Sequence, residues 1–296
     1  MSSDYPSFKE VYGSPWFFLR TIFPDLVGLL IIGVSYIITY FLLPLHERPL
    51  PGEIPPPETW LPVAEPERVP NAMLIIICLV CPTLIVLLGS LMRHLRRRRP
   101  DIVEAIICFA TIVGITLLAT HIFKEYVGRF RPDFWSRCMY DAVTKTCTGA
   151  KEIVDEGRRS FPSGHSSFSF SALGFAGLYI YENIDLLSND LIPCGRRAGL
   201  GSRGFGLRAV LASIPFVGAG LIALSRVVDN RHHPGDILAG GILGLIVLFV
   251  VFYSYFPVER HYNRPPQDYR FLSPSEDGFP LNSLGDRSSG SNISPV

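Results

Sequence analysis

The sequence predicts an all-α polytopic membrane protein, with six transmembrane helices in a bundle and a functional site at one set of ends of helices three to six. Three observations carry this reading. Of 296 residues, 48% are Ala, Val, Ile, Leu, Met, Phe, Trp, Tyr or Cys and only 18% are charged, where a soluble domain carries roughly a quarter. The mean hydropathy is +0.30. The apolar residues gather in six blocks, and three polar clusters fall at one side of the last four blocks.

The composition also excludes several classes. With 27 Lys plus Arg against 26 Asp plus Glu, the net charge of +1 supplies no general field for gathering nucleic acid. Six cysteines are too few for a disulfide-built scaffold. The apolar content rules out disorder for most of the chain.

About 20 helical residues cross roughly 30 Å of hydrocarbon. The blocks run approximately Leu26 to Leu43, Ala72 to Met92, Ile102 to Phe123, Ser166 to Tyr181, Leu207 to Leu224 and Ile237 to Phe256. Backbone groups in lipid must satisfy one another, so these blocks are expected as helices. The fourth and fifth are short and carry Ser and Gly, and are read as spans because they stand beside four stronger ones. Ahead of the first, Met1 to Pro15 is polar and lacks the cationic start of a cleaved signal peptide, which points to a retained signal anchor. Trp16, Phe17 and Phe18 beside Arg20 suit either a membrane interface or a plain linker.

Orientation comes from the loop between spans two and three, where Arg93, Arg96, Arg97, Arg98 and Arg99 sit within seven residues. Such clusters stay cytoplasmic. Arg196, Arg197, Arg203 and Arg208, between spans four and five, fall on the same side by parity, as do both termini. The Lys124 to Ser160 loop then lies outside yet holds eight cations, Lys124, Arg129, Arg131, Arg137, Lys145, Lys151, Arg158 and Arg159. An anion-binding site would explain cations on the wrong side. Residues 1–256 read as one membrane domain and 257–296, rich in Pro, Ser, Gly and Asn, as a disordered cytoplasmic tail. Asn292-Ile293-Ser294 in that tail matches a glycosylation pattern by chance.

The three clusters are Lys124 with Arg131-Pro132, Pro162-Ser163-Gly164-His165, and Ser225-Arg226 with His232 and Asp236. Each has a bland reading alone. Lys124 can snorkel at a helix end, Ser163 can cap span four, and Asp236 can face the positive end of the span-six dipole. Together they match KxxxxxxRP, PSGH and SRxxxxxHxxxD at every fixed position.

This pattern resembles the signature of the type 2 phosphatidic acid phosphatase superfamily. Gly128-Arg129-Phe130-Arg131-Pro132-Asp133-Phe134 and Ser160-Phe161-Pro162-Ser163-Gly164-His165-Ser166 look like its eukaryotic lipid phosphate phosphatase branch, notably the fungal and plant diacylglycerol pyrophosphate phosphatases. The resemblance implies a multi-pass enzyme of the plasma membrane, Golgi or vacuole, acting from the non-cytoplasmic face on phosphatidate, lysophosphatidate or diacylglycerol pyrophosphate. It implies membrane phospholipid substrates; no cofactor is expected, the charge balance argues against nucleic acid, and with Asp236 the one carboxylate in the three motifs no metal is expected. Oligomeric state leaves no trace in the sequence.

Phosphoryl transfer needs positive charge on the equatorial oxygens, an in-line nucleophile and a proton for the leaving alkoxide. Lys124, Arg131 and Arg226 can hold the oxygens, and Ser163 with the Gly164 amide sits where a helix begins, a site that favours anions. By resemblance, His232 forms a phosphohistidine, Asp236 orients it from i+4, and His165 is the acid that protonates the leaving oxygen and then the base that activates water. The residues alone leave His233 open as the nucleophile; the motif spacing selects His232.

Other polar residues receive lesser roles. His121, one turn before Lys124, reads as an interfacial structural histidine, and Glu104 as a solvated carboxylate near the cytoplasmic end of span three. Cys138 and Cys147, in the outer loop where disulfides persist, are candidates for a bridge. Cys78, Cys81 and Cys108 are expected to pack inside spans, and Cys194 to stay reduced. The alternatives are a sphingoid-base or prenyl phosphate phosphatase of the same superfamily, and a transporter or lipid-binding protein that keeps the site without turnover. The presence of His165, His232 and Asp236 together favours an enzyme.

Overall fold

A computed structural model describes residues 14–95, 101–183 and 205–256. The Arg96 to Arg99 cluster, the Arg196, Arg197 and Arg203 group, Cys194, the 257–296 tail and Asn292-Ile293-Ser294 lie outside the described residues. Long helices dominate the rest: α1 (Pro15–Leu42), α2 (Asn71–Leu95), α3 (Ile102–Val127), α6 (Gly164–Asn183), α7 (Phe205–Val228) and α8 (Pro234–Tyr255). Between α3 and α6 come two short helices, α4 (Phe134–Cys138) and α5 (Lys151–Gly157), and a small antiparallel pair, β1 (Tyr140–Asp141) with β2 (Thr146–Cys147). Cys138 and Cys147 are bonded to each other beside this pair. The residues around Trp16 are helical, part of α1, rather than a linker.

Among the described residues five helices, α1, α2, α3, α7 and α8, are long and apolar enough to cross a membrane. The fourth sequence block forms α6, which falls short of that apolarity, and its packing explains why. α6 is the hub, packed against α2, α3, α7 and α8, while α1 rests chiefly on α3 and is tied to α8 by the Tyr255 hydroxyl, which donates to Asp25 at 2.9 Å. Buried nearly all round, α6 presents no lipid-facing stripe and carries small and hydroxylated residues instead. Its hydroxyls bond neighbouring helices: Ser166 Oγ donates to the Ile237 carbonyl at 2.7 Å, and Ser167 Oγ pairs with Thr120 Oγ1 at 2.8 Å.

α8 approaches α6 through glycines. A Cβ at Gly240 would lie 2.5 Å from the Ser163 carbonyl, and one at Gly244 would lie 2.4 Å from the Ser167 carbonyl. Both positions therefore require glycine, and the close crossing carries the start of α8 to the start of α6. Phe109, Phe175 and Phe252 fill the core towards the far end. Cys78 and Cys108 pack in the interior; Cys81, in CxxC spacing with Cys78, faces outward, and all three are free thiols. Glu104 lies in the first turn of α3, at the opposite end of that helix from Lys124.

Candidate active site

The three clusters meet where α3 ends and α6 and α8 begin. α3 stops at Gly128, which has φ 57° and whose Cβ, if added, would lie 1.9 Å from the His46 carbonyl. Only glycine fits there, and the turn sends Arg129 and Arg131 back across the helix ends. The Ser163 amide donates to the Asp236 carbonyl at 3.0 Å, joining the second cluster to the third. A Cβ at Gly164 would sit 3.7 Å from Lys124 Nζ, so the first cluster adjoins the second.

Lys124, Arg131, Gly164, His165, Arg226 and His232 line one cavity of about 730 Å³. Its other wall is apolar, built from Leu74, Ile75 and Leu79 of α2, Val113 and Leu117 of α3, and Phe168 of α6. The cavity thus has a cationic end at the helix termini and an apolar arm running along the helices. Ser163 and Asp236 are fully buried behind it. Ser163 Oγ accepts the Ser166 amide at 3.4 Å as the cap of α6, and its side chain is not part of the cavity wall.

His232 is buried, and its Nδ1 lies 2.7 Å from the Ser160 carbonyl. A carbonyl only accepts, so Nδ1 carries the proton and Nε2 keeps its lone pair. Burial pushes the imidazole pKa down to about 3, with the positive charges of Arg131 and Lys124 adding to the effect and Asp236 opposing it. The ring is therefore neutral near pH 7. His165 Nε2 lies 3.0 Å from the Val69 carbonyl, which makes that nitrogen the protonated one in a neutral ring.

The close hydrogen bond between Asp236 and His232 expected of the i, i+4 spacing is replaced by a looser contact. α8 begins at Pro234, so His232 lies outside the helix, and Asp236 Oδ2 is 3.9 Å from its Nδ1. The carboxylate instead accepts from Arg129 Nη1 at 2.7 Å, from Ser160 Oγ at 2.6 Å and from the His233 amide at 3.0 Å. It caps α8 and anchors the 129–160 loop, while Ser160 passes the constraint on to His232. His233 Nδ1 faces the same carboxylate at 3.2 Å, and His233 is the N-cap of α8.

Most loop cations have a different task from the one expected. Only Lys124 and Arg131 of the eight line the main cavity. Arg129 holds Asp236, Arg137 holds Asp133 at 2.8 Å, and Arg159 grips Glu125 through two nitrogens at 2.6 and 3.1 Å. Arg158 stacks over Phe130 and Phe134 and donates to the Arg48 carbonyl at 2.7 Å. Lys145 and Lys151 are exposed. Arg131 itself is paired with Glu156. Burial would raise the Glu156 carboxyl pKa, but Arg131, Lys124 and Arg159 together hold it below its usual range.

Several site residues escaped the motif reading. Glu67, Asn71, Glu156 and Arg231 line the cavity, and Ser160 and Val69 hold His232 and His165. Glu156 and Ser160 stand in the cation-rich loop, which hinted at their region. Glu67 and Val69 precede α2, far from every motif, and carry no sequence signal. His121 also lines the cavity, beside the Tyr36 and Tyr40 rings at 5.5 and 5.7 Å. Among the described residues no three His, Cys, Asp or Glu side chains converge in the manner of a metal site.

Comparison with known proteins agrees on the family. Residues 105–260 match the model of the PAP2 superfamily. Lipid phosphate phosphatase 2 of Arabidopsis thaliana is 38% identical over 176 residues, covering 57% of this chain and 54% of that protein. Diacylglycerol pyrophosphate phosphatase 1 of Saccharomyces cerevisiae is 32% identical over 216 residues, covering 66% of this chain and 67% of that protein. The matched stretch thus spans about half the length of the plant relative and two thirds of the yeast one. A probable diacylglycerol pyrophosphate phosphatase of Schizosaccharomyces pombe is 28% identical over 218 residues, 68% of this chain and 70% of that protein. No solved structure matches the chain.

Proposed function

The chain belongs to the PAP2 superfamily, and from that premise we propose that it is an integral-membrane lipid phosphate phosphatase. Its substrates are phosphatidate, lysophosphatidate or diacylglycerol pyrophosphate, cleaved through a phosphohistidine without a metal ion. The observation that carries this reading is one cavity with a cationic end and an apolar arm, walled on that side by the membrane-length helices α2 and α3 and by α6. A lipid phosphate has the same two-part form, and its tails can stay among α2, α3 and α6 while the head reaches the helix termini.

The chemistry follows from the tautomers. His232 Nε2, with its lone pair free, attacks phosphorus as the bond from phosphorus to the lipid oxygen breaks. Lys124, Arg131 and Arg226 compensate the charge on the equatorial oxygens, supplying fixed positive charge where other phosphatases use metal ions. Acting as imidazolium, His165 gives a proton to the departing oxygen and becomes neutral, then takes one from the water that cleaves the phosphohistidine and releases phosphate. The neutral ring of the resting chain, whose Nε2 proton is donated to the Val69 carbonyl, must therefore gain a second proton before it acts as the acid.

The arginines from Arg93 to Arg99 support a cytoplasmic location for the α2–α3 connection. The site, at the opposite ends of both helices, then faces the non-cytoplasmic side of a plasma, Golgi or vacuolar membrane. The decisive experiment is phosphate release from phosphatidate by the purified chain, with His232→Ala as the blank. Release equal in the two proteins, or absent in both, removes the proposal.

A further inference from the structure

Three consecutive residues ahead of α2 engage the site. Glu67 accepts from Arg226 Nη1 through Oε2 at 2.7 Å, and its Oε1 lies 2.8 Å from Arg231 Nη2. Arg68 donates its amide and its guanidinium to Asp229, at 3.0 and 2.9 Å. The Val69 carbonyl accepts from His165. Glu67, Arg226 and Arg231 all line the main cavity, and the two arginine side chains are 2% and 10% exposed.

Arg231 belongs to none of the three motifs, yet it shares one carboxylate with Arg226, a motif residue. Two carboxylate oxygens divided between two guanidiniums imitate two oxygens of a phosphoryl group, because both anions accept forked, charge-assisted hydrogen bonds. We propose that Arg231 is a fourth cationic ligand of the substrate's phosphoryl group, and that Glu67 is the internal anion whose place that group takes. This rests on the reading of the cavity as a phosphoryl site.

The consequence is competition. An anion entering the cavity must displace Glu67, so its apparent affinity is reduced by the fraction of chains in which Glu67 holds the guanidiniums. Removing the carboxylate therefore tightens anion binding, and removing the Arg231 guanidinium weakens it. If the pair were merely a strut joining the 61–70 segment to the turn before α8, both changes would break the same strut and shift binding in the same direction.

The test is calorimetric titration of the full chain, purified in detergent, with orthovanadate and with inorganic phosphate. Glu67→Gln should lower the dissociation constant about tenfold and Arg231→Gln should raise it about tenfold, the scale of one charge-assisted hydrogen bond. Arg231→Lys, which keeps the charge but loses the fork, should fall between wild type and Arg231→Gln and carries the test if that variant does not fold. Unchanged affinity in either variant, shifts in one direction for both, or no anion binding at all overturns the assignment. Phosphate release from phosphatidate is measured alongside. If it is absent while the opposed shifts appear, the hydrolase reading fails and Arg231 stands as an anion ligand.

Discussion

The Ser160 carbonyl accepts the His232 Nδ1 proton at 2.7 Å, while the Ser160 hydroxyl donates to Asp236 at 2.6 Å. One residue thus links the proposed nucleophile to the buried carboxylate, which itself lies 3.9 Å from the imidazole Nδ1. The roles of Asp236 and His232 are separable on this basis.

Asp236→Asn should cost stability as well as activity. The buried carboxylate accepts from Arg129, Ser160 and the His233 amide, and neutralising it leaves Arg129 without its partner. Loss of a buried charged partner is a large effect, but Arg129 is 37% exposed and solvent offsets part of it, so the cost should be about 2 kcal/mol. A thermal unfolding midpoint equal to wild type, with activity lost, would show that Asp236 acts on the histidine alone.

The pH dependence of stability should carry the mark of His232. Its folded-state pKa of about 3 lies below the ordinary value of about 6.5, because burial disfavours the charged ring. Between those values the unfolded chain binds the proton and the folded chain does not, so stability falls as pH drops through 6.5 towards 3. Unfolding of wild type and His232→Gln compared at about pH 7 and about pH 5 should give a smaller acid loss in the variant. Equal losses would mean that His232 titrates normally in the folded chain.

Gly240→Ala should push α8 away from α6, since its Cβ would meet the Ser163 carbonyl at 2.5 Å. The overpacking should cost about 1–3 kcal/mol and reduce phosphate release, because the Ser163 amide would lose its bond to the Asp236 carbonyl. Gly220→Ala is the control, with nothing within 4 Å of the added carbon. Equal unfolding midpoints for the two variants would contradict the close crossing.

Activity should persist in excess EDTA and be inhibited by vanadate. Lys124, Arg131 and Arg226 converge on the cavity as positive charge that the chain itself supplies, and vanadate adopts the five-coordinate geometry of a transferring phosphoryl group. Activity that disappears in chelator and returns with magnesium would point to a different phosphatase mechanism.

Local sequence was enough to locate the apolar helices and the three clusters, because hydropathy and motif spacing are properties of short stretches. Lys124, Arg131, His165, Arg226 and His232 could be selected in this way, and they share one cavity. Tertiary structure decided what these residues touch. The partners of His232 and His165 are backbone carbonyls, of Ser160 and Val69, which no residue type announces. Glu67 reaches Arg226 across 159 positions of chain, and such a pairing depends on how loops close over helix ends. The weak apolarity of α6 had the same origin: a helix enclosed by protein is selected for close packing, and only its neighbours reveal that it faces no lipid.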